Sequence, residues 1–173
     1  MRPEIKIETA VWPLRLPSGV TSFLAEAFKQ PPEVPSIPCV ALVETIAEEF
    51  VALTRRAGAE LADAGSPCDK TLVRHVYDLH VVRSHYDRAQ VIALAREIMR
   101  ADVEAYGHQF PAYRENPVAE TLRAVGGLAT DDRFASHYAE FLRDMVYGEA
   151  PDFKTALATV SALADGLRES CPY

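Results

Sequence analysis

Four prolines fall within the eight residues 31–38 of the segment QPPEVPSIP, and they limit the possible folds more than any other feature of the chain. Proline lacks a backbone N–H and clashes with the preceding helical turn, so no helix can continue through this segment. The pattern of apolar residues also changes there. We therefore expect a short mixed α/β segment with a proline-rich linker over residues 1–38, and a helical domain over residues 39–173.

The residues before the prolines alternate at first. Ile5 and Ile7 would lie on one face of the stretch IKIE and Lys6 and Glu8 on the other, which predicts a half-buried strand. A strand this short leaves its backbone amides unsatisfied unless it pairs within the chain or with a partner. The stretch VTSFLAEAFK, residues 20–29, has apolar residues at helical offsets and predicts a short helix.

The residues after the prolines follow a helical period. Over residues 41–62 the apolar positions recur every three or four residues, and the turn residues DAGSP then end the helix. Capping residues predict further helices that begin after Asp69, Asp87, Asn116 and Pro151, with ends at Gly107, at Gly126 and Gly127, and at Gly148. The sequence thus predicts a mainly α fold, with about six helices after a short strand-containing segment.

Charge and hydropathy exclude several classes of protein. The formal net charge of −7 repels phosphate backbones, and no run of lysine and arginine offsets it, so direct binding to nucleic acid is not expected. No stretch approaches eighteen consecutive apolar residues, and the start MRPEIKIETA lacks the apolar core of a secretory signal. We expect a cytoplasmic protein without a membrane segment.

Histidine and cysteine spacing does not favour a metal site. His75, His80 and His85 are five residues apart, so on one helix they would point in different directions around the axis. The three cysteines are widely spaced and form no C-x-x-C pair, which favours buried or incidental thiols.

The segment RHVYDLH, residues 74–80, is the densest group of polar residues that could support chemistry. Arg74 and Asp78 stand four residues apart on a predicted helix, beside an apolar face formed by Leu72, Val76 and Leu79. The spacing alone predicts an intrahelical ion pair. Because the pair borders the apolar face, we expect it to be half-covered and to line a shallow cleft against the helix of residues 41–62.

The order of three segments resembles the AbiEii/AbiGii toxin family of nucleotidyltransferases. These segments are IKIE, then ETIAEEFVALTRR at residues 44–56, then RHVYDLH. The resemblance covers about residues 4–168 and implies the C-terminal portion of such a protein, with the first segment a remnant of an α+β core. It also implies a reaction in which carboxylates of a small sheet hold metal ions that activate a nucleoside triphosphate, while a lysine and an aspartate on the helices complete the site.

The resemblance assigns four residues to family positions. Asp78 matches the helical aspartate, Arg74 the arginine that starts the motif, and Glu8 a further acidic residue of the sheet. Glu49 stands where the family has its lysine, and a carboxylate there would repel a triphosphate. The family's glycine-serine turn and D-x-D carboxylates precede the IKIE strand, whereas here Met1 lies just before it.

Three hypotheses follow. The preferred one is a truncated or degenerate family member that needs no cofactor, is not catalytic by itself and binds a ligand or a partner chain such as an antitoxin. The first alternative is an active toxin that uses magnesium and a nucleoside triphosphate, with its metal-binding carboxylates supplied by an upstream segment or a partner chain. The second alternative is an unrelated helical interaction protein, which would be preferred if the helices of residues 41–62 and 71–85 did not touch.

Overall fold

The computed structural model describes residues 15–20, 22–31, 37–63 and 68–169. Backbone contacts divide the chain into two units, residues 1–41 and residues 42–173. The predicted domains of residues 1–38 and 39–173 remain a prediction. No helix in the described ranges combines the length and the apolar character needed to cross a membrane.

The first unit contains a two-stranded antiparallel sheet. Strands β1 (Pro17–Val20) and β2 (Ile37–Val40) pair with Pro17 opposite Val40 and Val20 opposite Ile37. Helix α1 (Phe23–Ala27) lies between them in sequence, and the Ser22 side chain accepts a hydrogen bond from the backbone N–H of Ala25. The predicted strand at residues 5–8 lies outside the described residues. The helix predicted at residues 20–29 is shorter than expected because its first residue belongs to β1.

The second unit is helical, and the predicted mainly α fold is confirmed. Its described residues form seven helices, one more than about six, because the short α5 was not predicted. They are α2 (Leu42–Ala62), α3 (Val73–Val81), α4 (Arg88–Tyr106), α5 (Pro111–Glu115), α6 (Pro117–Thr130), α7 (Asp132–Met145) and α8 (Phe153–Glu169).

Polar side chains fix several helix starts. Asp87 accepts a hydrogen bond from the N–H of Ala89 at the start of α4, and Asn116 accepts one from Ala119 at the start of α6. Both caps were predicted. Asp69 does not cap α3 as predicted, because its carboxylate accepts hydrogen bonds from the N–H and hydroxyl of Thr71 in the turn that precedes the helix.

Helix α6 does not end at Gly126 and Gly127 as predicted, since it continues to Thr130. Gly127 lies against the side chain of Leu61 on α2, whereas Gly126 faces open space. Glycine at position 127 lets two helices approach closely, which is a packing role rather than a stop signal.

The core of the helical unit forms around two helices, α2 and α8, which each contact several others. Helix α2 packs on α3, α4 and α6, and α8 packs on the same three helices. The largest fully buried side chains include Phe50, Leu53, Leu79, Tyr113, Phe134 and Tyr138. This packing holds α3, which bears the segment RHVYDLH, between α2 and α8.

Candidate functional site

Arg74 and Asp78 lie on one exposed strip of α3. The strip also includes Val81, whereas Val76 and Leu79 on the adjoining face are buried, as their spacing predicts. The structure shows no ion pair between Arg74 and Asp78 within its described part, and both residues are exposed. The ion pair predicted from the spacing is therefore not formed. The predicted partial covering is not contradicted for Asp78, because burial of its carboxyl group is the largest cause of its raised pKa.

Glu49 on α2 contacts α3 through His75, the residue that follows Arg74. Its Oε2 lies 2.8 Å from Nδ1 of His75, although the two residues are 26 positions apart in sequence. The His75 side chain is 9% exposed and the Glu49 side chain 28%. The contact lies at the packed interface of α2 and α3. Because these helices touch, the condition that would favour an unrelated helical interaction protein is not met.

Electrostatics at this contact are acidic. Burial of the carboxyl group and the nearby Glu49 carboxylate raise the pKa of Asp78 above its usual value, while His75 and Arg74 act in the opposite direction. The carboxyl group of Asp78 is thus partly covered, although the residue as a whole is exposed. We name Glu49, Arg74, His75 and Asp78 the α2–α3 cluster. Two of its four members are acids, so the cluster offers little positive charge to an anionic ligand.

The site residues assigned from sequence are only partly brought together. The Glu49 carboxylate is close enough to raise the pKa of Asp78, and Arg74 acts on Asp78 from the same helix. Glu8 lies outside the described residues, so its assignment stays a prediction. Sequence reasoning missed His75 as the partner of Glu49, because no local pattern connects residues on two different helices.

The described residues contain no group of three or more histidine, cysteine or acidic side chains arranged to hold a metal ion. Cys68 lies 3.1 Å from Glu60 Oε2 and 3.6 Å from His137 Nδ1. Burial and the Glu60 carboxylate raise the pKa of Cys68 to about 11, which keeps the thiol protonated and unreactive near neutral pH.

His80, the second histidine of RHVYDLH, contributes to the packing of α3 on α8. Its Nδ1 lies 2.9 Å from the hydroxyl of Thr159 on α8, and its backbone carbonyl accepts a hydrogen bond from Arg83. Burial, followed by the nearby Arg83 charge, lowers the pKa of His80. The neutral imidazole therefore serves to join α3 to α8.

Comparison with protein families gives a match to the family described as nucleotidyl transferase AbiEii toxin, type IV toxin–antitoxin system. The match spans residues 1–159 and so includes both helices of the α2–α3 cluster. Comparison with curated proteins and with solved structures gives no significant match. Because the family match covers most of the 173 residues, this chain belongs to the AbiEii nucleotidyl transferase toxin family.

Proposed function

We propose that this chain is a degenerate member of its family that does not transfer nucleotides by itself and acts as a binding module. The observation that supports this proposal is the position of Glu49. The resemblance assigns it to the position of the family's lysine. Its carboxylate lies 2.8 Å from His75 and, after burial, is the second cause of the raised pKa of Asp78. A lysine would neutralise phosphate charge, whereas a carboxylate at the same position repels a triphosphate.

The shortage of suitable magnesium ligands among the described residues also supports the proposal. Magnesium ions in nucleotide-dependent enzymes are held by carboxylates and by the phosphates of the substrate. In the described part of the chain, Glu49 is engaged with His75, and no three candidate ligands converge. The 173 residues contain no D-x-D pair. The described residues thus do not fit a magnesium site, and the proposed function includes no step that uses one.

Titration calorimetry with the four nucleoside triphosphates and magnesium tests the loss of nucleotide binding. We expect no saturable heat for the wild-type chain and none for Glu49→Gln. Glu49→Lys should gain weak binding, because two units of charge change next to Asp78. Glu97→Lys on α4 is the matched control, since Glu97 is exposed and its substitution makes the same change to the net charge. Tight, saturable binding of one triphosphate to the wild-type chain would contradict the proposal.

The family description names a type IV toxin–antitoxin system, and we propose the cognate antitoxin as the partner of this chain in the cytoplasm. Co-expression of the two proteins, followed by size-exclusion chromatography with light scattering, tests this part. We expect one peak with a fixed ratio of the two chains. Elution as two separate species at micromolar concentrations would show that the antitoxin is not a direct binding partner.

One observation favours a second function, that of an active nucleotidyltransferase completed by another segment or chain. Arg74 and Asp78 match the family's motif and are exposed, so a ligand could reach both. Magnesium and a nucleoside triphosphate would then be required, with the metal-binding carboxylates supplied from elsewhere. Addition of the purified antitoxin to a transfer assay distinguishes the two functions, since only this alternative predicts that activity appears with the partner.

A further inference from the structure

A pocket of about 440 Å³ lies between the end of α3 and the N-terminal part of α8, beside the turn that joins α3 to α4. Its described lining contains no acidic residue and no member of the α2–α3 cluster. A ligand at this position would therefore be independent of the proposed loss of nucleotide binding. The lining includes the polar residues His80, Arg83, Tyr86 and Arg88 and the small apolar residues Ala158 and Ala162.

Arg83 is the feature that points to a ligand. Its Nη1 donates a hydrogen bond of 2.7 Å to the backbone carbonyl of His80, which holds the guanidinium at the end of α3. After burial, the Arg83 charge is the second cause of the lowered pKa of His80, and it opposes the rise that burial causes in the pKa of Tyr86. The guanidinium therefore lies close to two other side chains of the lining. It is open to a ligand, because Arg83 is exposed.

The positive charge of the pocket has no carboxylate partner. Neither Arg83 nor Arg88 forms an ion pair with any residue in the part of the chain that the structure describes. The acid that acts on His80 is Asp152, at the start of α8. Its carboxylate accepts hydrogen bonds of 2.8 Å and 3.0 Å from the N–H and the hydroxyl of Thr155, so it is engaged within its own helix. The two arginines thus make this pocket attractive to an anion, although the chain as a whole carries a charge of −7.

The geometry of the lining favours a carboxylate attached to an apolar body. A guanidinium presents its N–H donors in a planar fork that matches the two oxygens of a carboxylate. Because Nη1 of Arg83 is bound to the His80 carbonyl, Nε and Nη2 remain for a ligand, and these two nitrogens lie on one edge of the guanidinium. Ala158 is exposed and Ala162 partly buried, so α8 offers an apolar wall beside this edge. Ligand sites of similar volume commonly combine an apolar lining with a few polar groups that orient the ligand.

We propose that the pocket beside Arg83 is a binding site for a small organic carboxylate. The two carboxylate oxygens accept hydrogen bonds from Nε and Nη2 of Arg83, and the apolar body lies against Ala158 and Ala162. Arg88 adds a second positive charge that attracts the anion. A neutral molecule of the same shape lacks this attraction.

Benzoate and benzamide are suitable probes, because they share a ring and a carbonyl oxygen and differ in charge. Each is titrated at pH 7 and constant ionic strength into the ¹⁵N-labelled full chain, and amide shifts are followed by nuclear magnetic resonance. We expect saturable shifts with benzoate for residues 80–88 and 155–163. Benzamide should bind at least tenfold more weakly, since it cannot form charge-assisted hydrogen bonds through two oxygens.

Substitutions of arginine separate a specific site from a general effect of charge. Arg83→Gln should weaken benzoate binding at least tenfold, and Arg88→Gln should weaken it by a smaller factor, because Arg88 attracts the ligand without holding it. Arg100→Gln on α4 is the matched control. Arg100 is exposed and does not line the pocket, and its substitution makes the same change to the net charge, so benzoate binding should be unaltered.

Ala158→Glu and Ala158→Gln form a second matched pair, which adds a side chain of one size with or without a negative charge. Ala158→Glu should bind benzoate at least tenfold more weakly than Ala158→Gln, because the new carboxylate balances the arginines. Circular dichroism verifies that each variant is folded, and if Arg83→Gln does not fold, the Ala158 pair decides the test. The proposal is overturned if benzoate gives no saturable shifts at residues 80–88 and 155–163, or if benzamide binds as tightly as benzoate. It is also overturned if Arg100→Gln weakens binding as much as a folded Arg83→Gln, or if the two Ala158 variants bind benzoate equally.

Discussion

Glu49 on α2 and His75 on α3 lie 2.8 Å apart, and this contact joins the two segments that carry the family resemblance. His75 is nearly buried, and Glu49 is partly exposed beside it. Glu49, which the resemblance assigns to the position of the family's lysine, is therefore a carboxylate that contacts a neighbouring helix. A residue engaged in this way is not available to hold a phosphate.

We predict that Glu49 and His75 are energetically coupled, whereas Arg74 and Asp78 are not. Single and double alanine variants of each pair, unfolded in urea, give the two coupling energies. The Glu49–His75 pair should show a coupling of about 0.5–3 kcal/mol, as expected for residues in contact. For the Arg74–Asp78 pair, both residues are exposed and unpaired with each other, so their effects should add within about 0.3–0.5 kcal/mol.

Two outcomes would contradict this prediction. Additive losses for the Glu49 and His75 variants would mean that their contact does not stabilise the packing of α2 on α3. A coupling near 1 kcal/mol between Arg74 and Asp78 would restore the intrahelical ion pair predicted from their spacing.

The second prediction concerns the pKa of Asp78. Burial and the Glu49 carboxylate raise this pKa above the usual value of 3.8, so Glu49→Gln should lower it. Carbon-detected nuclear magnetic resonance titration of the Asp78 carboxyl group measures the change. Glu97→Gln on α4 is the control and should leave the Asp78 pKa unaltered, because Glu97 is not among the residues that shift it.

The same shift predicts a dependence of stability on pH. An acid whose pKa is raised by folding favours the folded state below its unfolded-state pKa, and this contribution is lost as the pH rises through the folded-state pKa. Asp78→Asn should therefore be slightly more stable than the wild type at pH 7, and the difference should disappear below pH 3.8. The gain will be small because Asp78 is exposed. A wild type more stable than the variant at pH 7 would contradict the direction of the shift.

Long periodic segments could be predicted from the sequence, and contacts between segments could not. Helix α2 extends over Leu42–Ala62, close to the predicted 41–62, because its apolar positions repeat over several turns. Arg74 and Asp78 lie beside the buried face of Val76 and Leu79, as predicted, although they do not form the predicted ion pair. The Glu49–His75 contact depends on how two helices pack, and neither residue type nor spacing predicts it.

The third prediction compares a buried and an exposed ion pair. The side chains of Arg55 and Asp102 are 12% and 11% exposed, whereas those of Lys70 and Glu140 are 67% and 48% exposed. Asp102→Ala should lower the free energy of unfolding by about 3–5 kcal/mol, because it leaves a buried guanidinium without its carboxylate. Lys70→Ala should change it by less than about 1 kcal/mol.

Urea denaturation of both variants gives the two values. Similar small losses would show that Arg55 is hydrated and does not depend on Asp102.

The fourth prediction uses two adjacent glycines of α6. Gly126→Ala should raise the free energy of unfolding by up to about 1 kcal/mol, because alanine favours a helix and the new methyl group meets open space. Gly127→Ala should lower it by about 1–3 kcal/mol, because the methyl group would collide with Leu61. Thermal or urea unfolding measures both. Equal effects of the two substitutions would contradict the close packing of α6 on α2.

Some errors in the sequence prediction arise because turn-forming residues have more than one structural use. Gly127 was interpreted as a helix end, but its small size admits Leu61. Strands β1 and β2 contain Pro17 and Pro38, which favour turns locally, and their pairing across the intervening residues is not a local property. The short helix α5 begins at Pro111 and spans five residues, too few to show a helical period, so the buried Tyr113 was missed.

We propose that this chain by itself lacks nucleotidyl transfer activity for two reasons: no three candidate metal ligands converge in its described residues, and its α2–α3 cluster carries Glu49 where a cation is needed. The most direct test incubates the purified chain with each α-labelled nucleoside triphosphate, magnesium and a pool of transfer RNA. We predict no label on the RNA with the wild type, and none with Glu49→Lys, since one cation does not supply metal-binding carboxylates. Transfer of label by the wild-type chain, abolished by Asp78→Asn, would contradict the claim and establish an active enzyme.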